Sequence, residues 1–391
     1  MPQPKPGLAT AISSSLPPAT ILVVDDSPVN LQILVRTLDG TGHRILAATA
    51  GKAALEIALR THPDLILLDV MMPVMDGFEV CRAIKANVAT RDIVVIFLSA
   101  LGEVEDKVAG LQLGAADYIT KPIQAEEVLA RVANHLAVQR LERQLRESRD
   151  QLDQELANAA EMQRLILPQS LPQVENLSFA AHYETSRHVG GDYYDIVSLP
   201  DKQYGILIAD VSGHGAPSAI VMAMIRAVFH NLPGPALDPP SVLKFINRQF
   251  KFLWGTSILA TALYTVVDPL QRRMRMACAG HLPPLLLHGD NVSQLDCDAS
   301  LPLLLMDLPD IPLFEQRLEH GDKVLFYTDG ITECEGTDGN MYETGRLMDA
   351  FHASRHSSPQ QLLNSLVADL ARFTSGRERA DDQTLLLMAY L

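Results

Sequence analysis

Between Ile21 and Thr120 the chain repeats one rhythm: a short apolar run, then a longer segment with apolar residues every three or four positions. ILVVDD, HRILAATA, DLILLDV, IVVIFLSA and DYIT read as strands, and SPVNLQILVRTLDG and GKAALEIALRTH as helices. Strands that are apolar along their whole length must be covered on both faces, which amphipathic helices between parallel strands achieve. The expectation for residues 20–137 is therefore an α/β, doubly wound, five-stranded parallel sheet. Any site in it forms at the carboxyl ends of the strands.

A different texture follows. Residues 125–166 contain no Gly or Pro, so the spacing predicts one long polar helix. Val138, Leu141, Leu145, Leu152, Leu156 and Ala159 fall on a narrow stripe, with Ser148 on the seam and a break in the seven-residue repeat after Leu152. Charged residues surround the stripe. We expect residues 138–172 to be a helical linker that forms a parallel coiled-coil homodimer and ends at Pro168 and Pro172. From Leu177 onward, alternating segments predict strands: SFAAHYETS, GGDYYDIVSL, YGILIADVSG, TALYTVVD, RRMRMACAG, KVLFYTDGIT and QTLLLMAYL. Helices are expected near 215–231, 239–254, 343–353 and 358–373. Residues 173–391 thus read as a β-sandwich flanked by helices.

Composition narrows the function classes. With 391 residues, two domains and a connector are expected. The formal net charge of −15 repels phosphates and argues against a nucleic-acid or anionic-membrane binder. Cys81, Cys278, Cys297 and Cys334 form no CxxC pair, which fits a reducing compartment, and the protein is expected to be cytoplasmic. Residues 1–19 are rich in Pro and Ser, lack the pattern of a signal peptide and read as a disordered tail. No apolar stretch is long enough to span a bilayer.

The candidate chemistry lies in aspartates at strand ends. In the first half, Asp25 and Asp26 end the first strand, Asp69 the third and Ser99 the fourth, and Lys121 follows the fifth. Three converging carboxylates repel unless a hard cation sits between them. A carboxylate beside such a cation can act as a nucleophile, with a lysine and a hydroxyl binding phosphoryl oxygens. The runs VVDDSPVN, LDVMMPVMDGFEVC, LSA and DYITKP resemble the response-regulator receiver domain over about residues 20–137. The resemblance implies Asp69 as phosphoacceptor, charged by a histidine kinase or phosphotransfer protein. It also implies Mg²⁺ held by Asp26 and the Met71 carbonyl with Asp25 assisting, phosphoryl contacts from Ser99 and Lys121, Tyr118 as an aromatic switch, and a cis bond at Lys121–Pro122.

The second half carries Asp192 and Asp195 in VGGDYYD, Asp210 in IADVSGHG, Asp329 in LFYTDGITE, and Asp381–Asp382 before QTLLL. Acids flanked by apolar residues are costly to bury without cations. Two divalent metals sharing one aspartate would satisfy them and could activate water toward a phosphoryl group. MQRLILPQSLP, SRHVGGDYYD, IADVSGHGAPSA, CAGHLPPLLL, GDKVLFYTDGITE, MYETGRL and DDQTLLL resemble, in order, the PPM superfamily of protein phosphatase 2C-like enzymes. The match is nearest its bacterial stage-II-sporulation and stress-response serine phosphatases. The resemblance implies two Mn²⁺ or Mg²⁺ ions, with Asp210 bridging, the Val211 carbonyl completing one site, Asp192 on one metal, and Asp329 and Asp381 on the other. Asp381 and Asp382 are both open as the ligand, the family pattern favouring the first. It further implies a phosphoprotein substrate of the anti-sigma-factor-antagonist class. Ser218 and His188 depart from the family pattern without touching a ligand position. Arg187 could meet substrate phosphate or pair on the surface, and His214 and His281 read as loop braces rather than catalysts. The competing reading is a non-catalytic adaptor that binds a sigma factor or its regulator; an adaptor of that kind would have lost several of these aspartates.

Overall fold

The computed structural model describes residues 18–99, 110–297, 300–308 and 310–391. The chain divides into two compact units, Met1–Gln151 and Leu152–Leu391. In the first, strands β1 (Thr20–Val24), β2 (Arg44–Ala48), β3 (Leu65–Asp69), β4 (Val94–Ser99) and β5 (Asp117–Thr120) form one parallel sheet in the order β2-β1-β3-β4-β5. Alternation along each strand supplies two cores. Leu22, Val24, Ile66, Leu68, Val95 and Phe97 face α2 (Gly51–Thr61) and α3 (Gly77–Ala86). Ile21, Val23, Leu65, Leu67, Ile96 and Leu98 face α1 (Pro28–Leu38) and the start of α4 (Ala125–Ile166).

Helix α4 has the bounds that the absence of Gly and Pro implied. Its first turns bury Val128, Val132 and Leu136, spaced at four residues. Beyond them the stripe residues Val138, Leu141, Leu145 and Leu152 are exposed. The expected tail needs a correction at its end: Ala19 is buried, and its N–H donates to His43 Nδ1 at 3.2 Å. Residues 1–17 lie outside the described residues.

The second unit has two five-stranded antiparallel sheets. One holds β7 (Tyr193–Ser198), β8 (Tyr204–Val211), β9 (Ala260–Asp268), β10 (Arg273–Ala279) and β13 (Phe314–Arg317), in the order β13-β10-β9-β8-β7. The other holds β6 (Leu177–Glu184), β11 (Leu285–His288), β12 (Asn291–Gln294), β14 (Lys323–Tyr327) and β15 (Gln383–Tyr390), in the order β12-β11-β14-β15-β6. Helices α5 (Ala216–Phe229) and α6 (Pro239–Gln249) pack on the first sheet. After the short α7 (Asp329–Thr332), α8 (Glu343–Ala353) and α9 (Pro359–Thr374) pack on the second. Val324, Phe326, Leu386 and Met388 turn inward between the sheets. Leu325, Tyr327, Leu385 and Leu387 turn outward beneath the helices. Burial on both faces explains why these strands read as continuous apolar runs.

Three strands escaped the sequence pattern. β12 (NVSQ) and β13 (FEQR) are four-residue polar edge strands, and β11 is hidden in the AGHLPPLLL turn. Edge strands are commonly short and polar because one rim meets water. The run KVLFYTDGIT is also not one strand: β14 stops at Tyr327 and α7 begins at Asp329.

Candidate metal centres and phosphoacceptor site

In the first unit the carboxyl ends of β1 and β3 bring Asp25, Asp26 and Asp69 together, with ligand oxygens within 4.8 Å of one another. At that spacing and an effective dielectric near 20, each pair of full charges would repel by roughly 3–4 kcal/mol. Lys121 relieves part of this. Its Nζ lies 2.8 Å from Asp69 Oδ2 and 2.9 Å from Asp25 Oδ2. Asp25 is further committed, accepting from the Ser27 N–H at 2.9 Å and from Asn30 Nδ2 at 3.1 and 3.0 Å. Asp26 is exposed. Burial is the main influence on the Asp69 carboxyl and raises it above the usual range, with Lys121 pulling the other way. Ser99 ends β4 with a buried Oγ that has no partner among the described residues. Lys121–Pro122 is cis. The three oxygen-bearing acids suit a hard cation such as Mg²⁺.

In the second unit antiparallel register builds the ring. Tyr193 pairs with Ala209, which puts the next residues, Asp192 and Asp210, side by side. Tyr327 pairs with Leu385, which brings Thr328 next to Thr384 and sets Asp329 near Asp381 and Asp382. Thr328 Oγ1 and Thr384 Oγ1 cross between the sheets and donate to Asp192 Oδ2 at 2.8 and 2.6 Å. Asp192 is buried, and its carboxyl is pushed well up by burial and then by Asp210. Asp210 is pushed up to about 7, first by burial and then by repulsion from Asp329 and Asp381. Asp192 and Asp210 are neighbours, and each influences the proton affinity of the other. Burial also raises Asp329 and Asp381.

Among the described residues, no three of the phosphatase acids bring ligand oxygens within 4.8 Å of one another. Among the described residues no lysine or arginine forms an ion pair with Asp192, Asp210, Asp329 or Asp381. Without a cationic side chain between them, these carboxyls stay apart or protonated. Four carboxylates and a backbone carbonyl form an all-oxygen donor set that suits Mn²⁺ or Mg²⁺.

Asp382 is occupied elsewhere. Its Oδ1 accepts from the Ser186 N–H at 2.8 Å and its Oδ2 from the Gly191 N–H at 2.7 Å. It fastens the turn that carries Asp192 and leaves Asp381 beside it as the freer carboxylate. Close packing explains two glycines. A Cβ on Gly191 would lie 2.5 Å from the Val211 carbonyl oxygen, and one on Gly330 would lie 1.9 Å from the Asp382 carbonyl oxygen. The end of α4 grips the same turn: Gln163 Nε2 donates to the Gly190 carbonyl at 2.6 Å, and the Gly190 N–H donates back to Oε1 at 3.0 Å.

Asp195 belongs to no such ring. Strand alternation turns it away from Asp192, and its Oδ2 meets Tyr193 Oη at 2.5 Å and His230 Nε2 at 2.6 Å. His281 is buried, lies 2.8 Å from Thr261 Oγ1 through Nδ1, and is lowered to about 4 by burial. It is a neutral brace beside the Asp210–Thr261 pair of β8 and β9. His214 is exposed near Asp381, Ser218 donates to the Gly215 carbonyl at 2.9 Å, and Arg187 and His188 are exposed. Sequence reasoning missed Thr328, Thr384 and Gln163. Each lies next to or within a quoted motif, but a threonine beside an aspartate has no signature until register brings the strands together.

Residues 200–390 match the model of the stage II sporulation protein E (SpoIIE) family, and residues 21–133 match that of the response regulator receiver domain. The chain is 30% identical over 246 residues to the phosphoserine phosphatase RsbU of Bacillus subtilis (strain 168), covering 62% of this chain and 72% of RsbU. The chain belongs to the RsbU family of phosphatases. Its first unit is a response-regulator receiver. That part is 42% identical over 112 residues to the DNA-binding dual master transcriptional regulator RpaA of Synechocystis sp. (strain ATCC 27184 / PCC 6803 / Kazusa), covering 29% of this chain and 46% of RpaA. The SiaA-PP2C domain of Pseudomonas aeruginosa shares the fold of the second unit. There the TM-score is 0.57 and the identity 23%, over 62% of this chain and 99% of that one.

Two outcomes follow for this RsbU-family ring. Thr384→Val removes one of two donors that aim Asp192, so Mn²⁺ affinity measured by calorimetry should fall about 10–100-fold while Thr384→Ser keeps it. Unchanged affinity in the valine variant would remove the threonines from the account. Because the Asp210 carboxyl is raised to about 7, its ionisation weakens the metal-free fold as pH climbs from the ordinary carboxylate value of 3.8 toward that point. A cation needs the ring ionised, so Mn²⁺ binding between about pH 6 and 7 should release protons and weaken as pH falls. Titration in two buffers of different protonation enthalpy reads the release; identical heats in both would contradict it.

Proposed function

We propose that phosphorylation of Asp69 by a histidine kinase or phosphotransfer protein controls hydrolysis of phosphoserine or phosphothreonine on a protein substrate by the second unit. The observation that carries this reading is the register that puts Asp192 beside Asp210, with Thr328 and Thr384 bonded to Asp192 and Asp329 and Asp381 acting on Asp210. Asp192, Asp210, Asp329, Asp381 and the Val211 carbonyl would hold two Mn²⁺ or Mg²⁺ ions, and Asp25, Asp26, Asp69 and the Met71 carbonyl a receiver Mg²⁺. When bound, a pair of divalent ions supplies a nucleophile at neutral pH and offsets charge on the phosphoryl group. The protein's own contribution is position: Thr328 and Thr384 aim Asp192, and Asp382 and Gln163 hold its turn. In the receiver, Ser99 Oγ lacks a partner among the described residues and Lys121 already spans two carboxylates, so both can take phosphoryl oxygens.

The resemblance to stress-response phosphatases supports an anti-sigma-factor antagonist as the substrate. All four cysteines are buried, which limits their reactivity, and the absence of CxxC spacing supports a reducing, cytoplasmic setting. No helix among the described residues is long and apolar enough to cross a membrane. The exposed stripe of Val138, Leu141, Leu145 and Leu152 supports pairing with a second copy through the linker.

A Mn²⁺-dependent assay on p-nitrophenyl phosphate and on a phosphoserine protein tests the chemistry. Asp210→Ala should reduce hydrolysis to background, and Asp69→Asn should keep the basal rate but lose the change caused by acetyl phosphate. Hydrolysis that survives Asp210→Ala would place the reaction elsewhere, and a wild type that binds phosphoprotein without hydrolysing it would be an adaptor. Sedimentation should show a dimer that Leu145→Lys with Leu152→Lys converts to monomer; a wild-type monomer at micromolar concentration would end the coiled-coil proposal.

A further inference from the structure

The receiver's last strand joins two sets of charges. β5 is only four residues long, lies at the sheet edge and is paired with β4 alone. Directly after it, Lys121 reaches into the phosphoacceptor pocket and bridges Asp69 and Asp25. At its start, Asp117 holds the linker helix α4. Asp117 Oδ2 accepts from Arg131 Nη1 at 2.7 Å and lies 3.0 Å from His135 Nε2. Arg131 also bonds Glu127 at 2.9 Å, and its guanidinium carbon lies 5.9 Å from the centre of the Tyr118 ring. We propose that the cluster of Asp117, Arg131 and His135 is the joint that passes the state of Asp69 to the linker helix. This rests on the reading that Asp69 controls the phosphatase.

A phosphoryl group on Asp69 adds three acceptor oxygens, so the bonds that Lys121 makes to two carboxylates must rearrange. A strand braced on one side by a single neighbour resists a small shift weakly, and only three residues separate Asp117 from Lys121. Arg131 and His135 stand one helical turn apart on the same face of α4, so a shift of Asp117 alters both contacts at once. A small cavity, about the size of one water, supports the same direction. It is bordered by Ser99, whose Oγ has no partner among the described residues, and by Tyr118 and Asp117. Burial would raise the Asp117 carboxyl, but His135 and Arg131 outweigh it and hold the group below the usual range, so the joint is charged at neutral pH.

The test uses the full chain, with acetyl phosphate as phosphodonor. Phos-tag electrophoresis reads receiver phosphorylation, and Mn²⁺-dependent hydrolysis of p-nitrophenyl phosphate reads the output. Arg131→Gln should be phosphorylated like wild type and keep its basal rate, while its change in rate on phosphorylation shrinks by about 5-fold or more. His135→Gln should shrink it in the same direction, and Arg131→Lys should keep part of it. A full response in both glutamine variants overturns the joint. A wild type that is phosphorylated but unchanged in rate overturns the underlying reading of Asp69, and the joint with it.

Discussion

Like charges buried together govern this molecule. Each unit gathers aspartates at the ends of its strands, where apolar neighbours and low dielectric make mutual repulsion strong. The two units meet that constraint differently. In the receiver, Lys121 places a positive charge between Asp25 and Asp69, and three acids come within 4.8 Å. In the phosphatase ring no lysine or arginine among the described residues pairs with the four acids, and their proton affinity is raised. A ring of that kind lacks its counter-charge until cations bind.

The surrounding fold supplies what the constraint requires. Antiparallel pairing fixes which residues share the edge, and burial on both faces of β14 and β15 leaves those strands little freedom to slip register. Hydroxyls from Thr328 and Thr384 then set the orientation of Asp192, and Asp382 spends both oxygens on the turn before it. Gln163 ties the last turns of the linker helix to that same turn. At the other end of the helix, Arg131 and His135 meet the receiver's edge strand.

Much of this was legible in the sequence because the signals were local. The five parallel strands, the bounds of the long helix and the aspartates at strand ends follow from apolar runs and missing helix breakers. Signals that depend on pairing were not legible. Asp195 lies three residues from Asp192, yet alternation sends it to His230 on the other face. Asp382 and Asp381 look alike in the sequence, and only pairing shows that Asp382 bonds Ser186 and Gly191. The polar edge strands β12 and β13 carry no apolar pattern, since half their surroundings are water. The ends of KVLFYTDGIT and of the tail were misjudged because propensity does not locate a boundary that packing decides.

The most direct measurement is anomalous diffraction at the manganese edge from crystals grown with Mn²⁺. The account predicts two peaks inside the ring, with Asp210 turned toward both and Asp192, Asp329 and Asp381 each toward one. A well-ordered ring with no peak in it, its carboxyls still facing apart at saturating manganese, would contradict the claim that these acids are tolerated for the sake of bound cations.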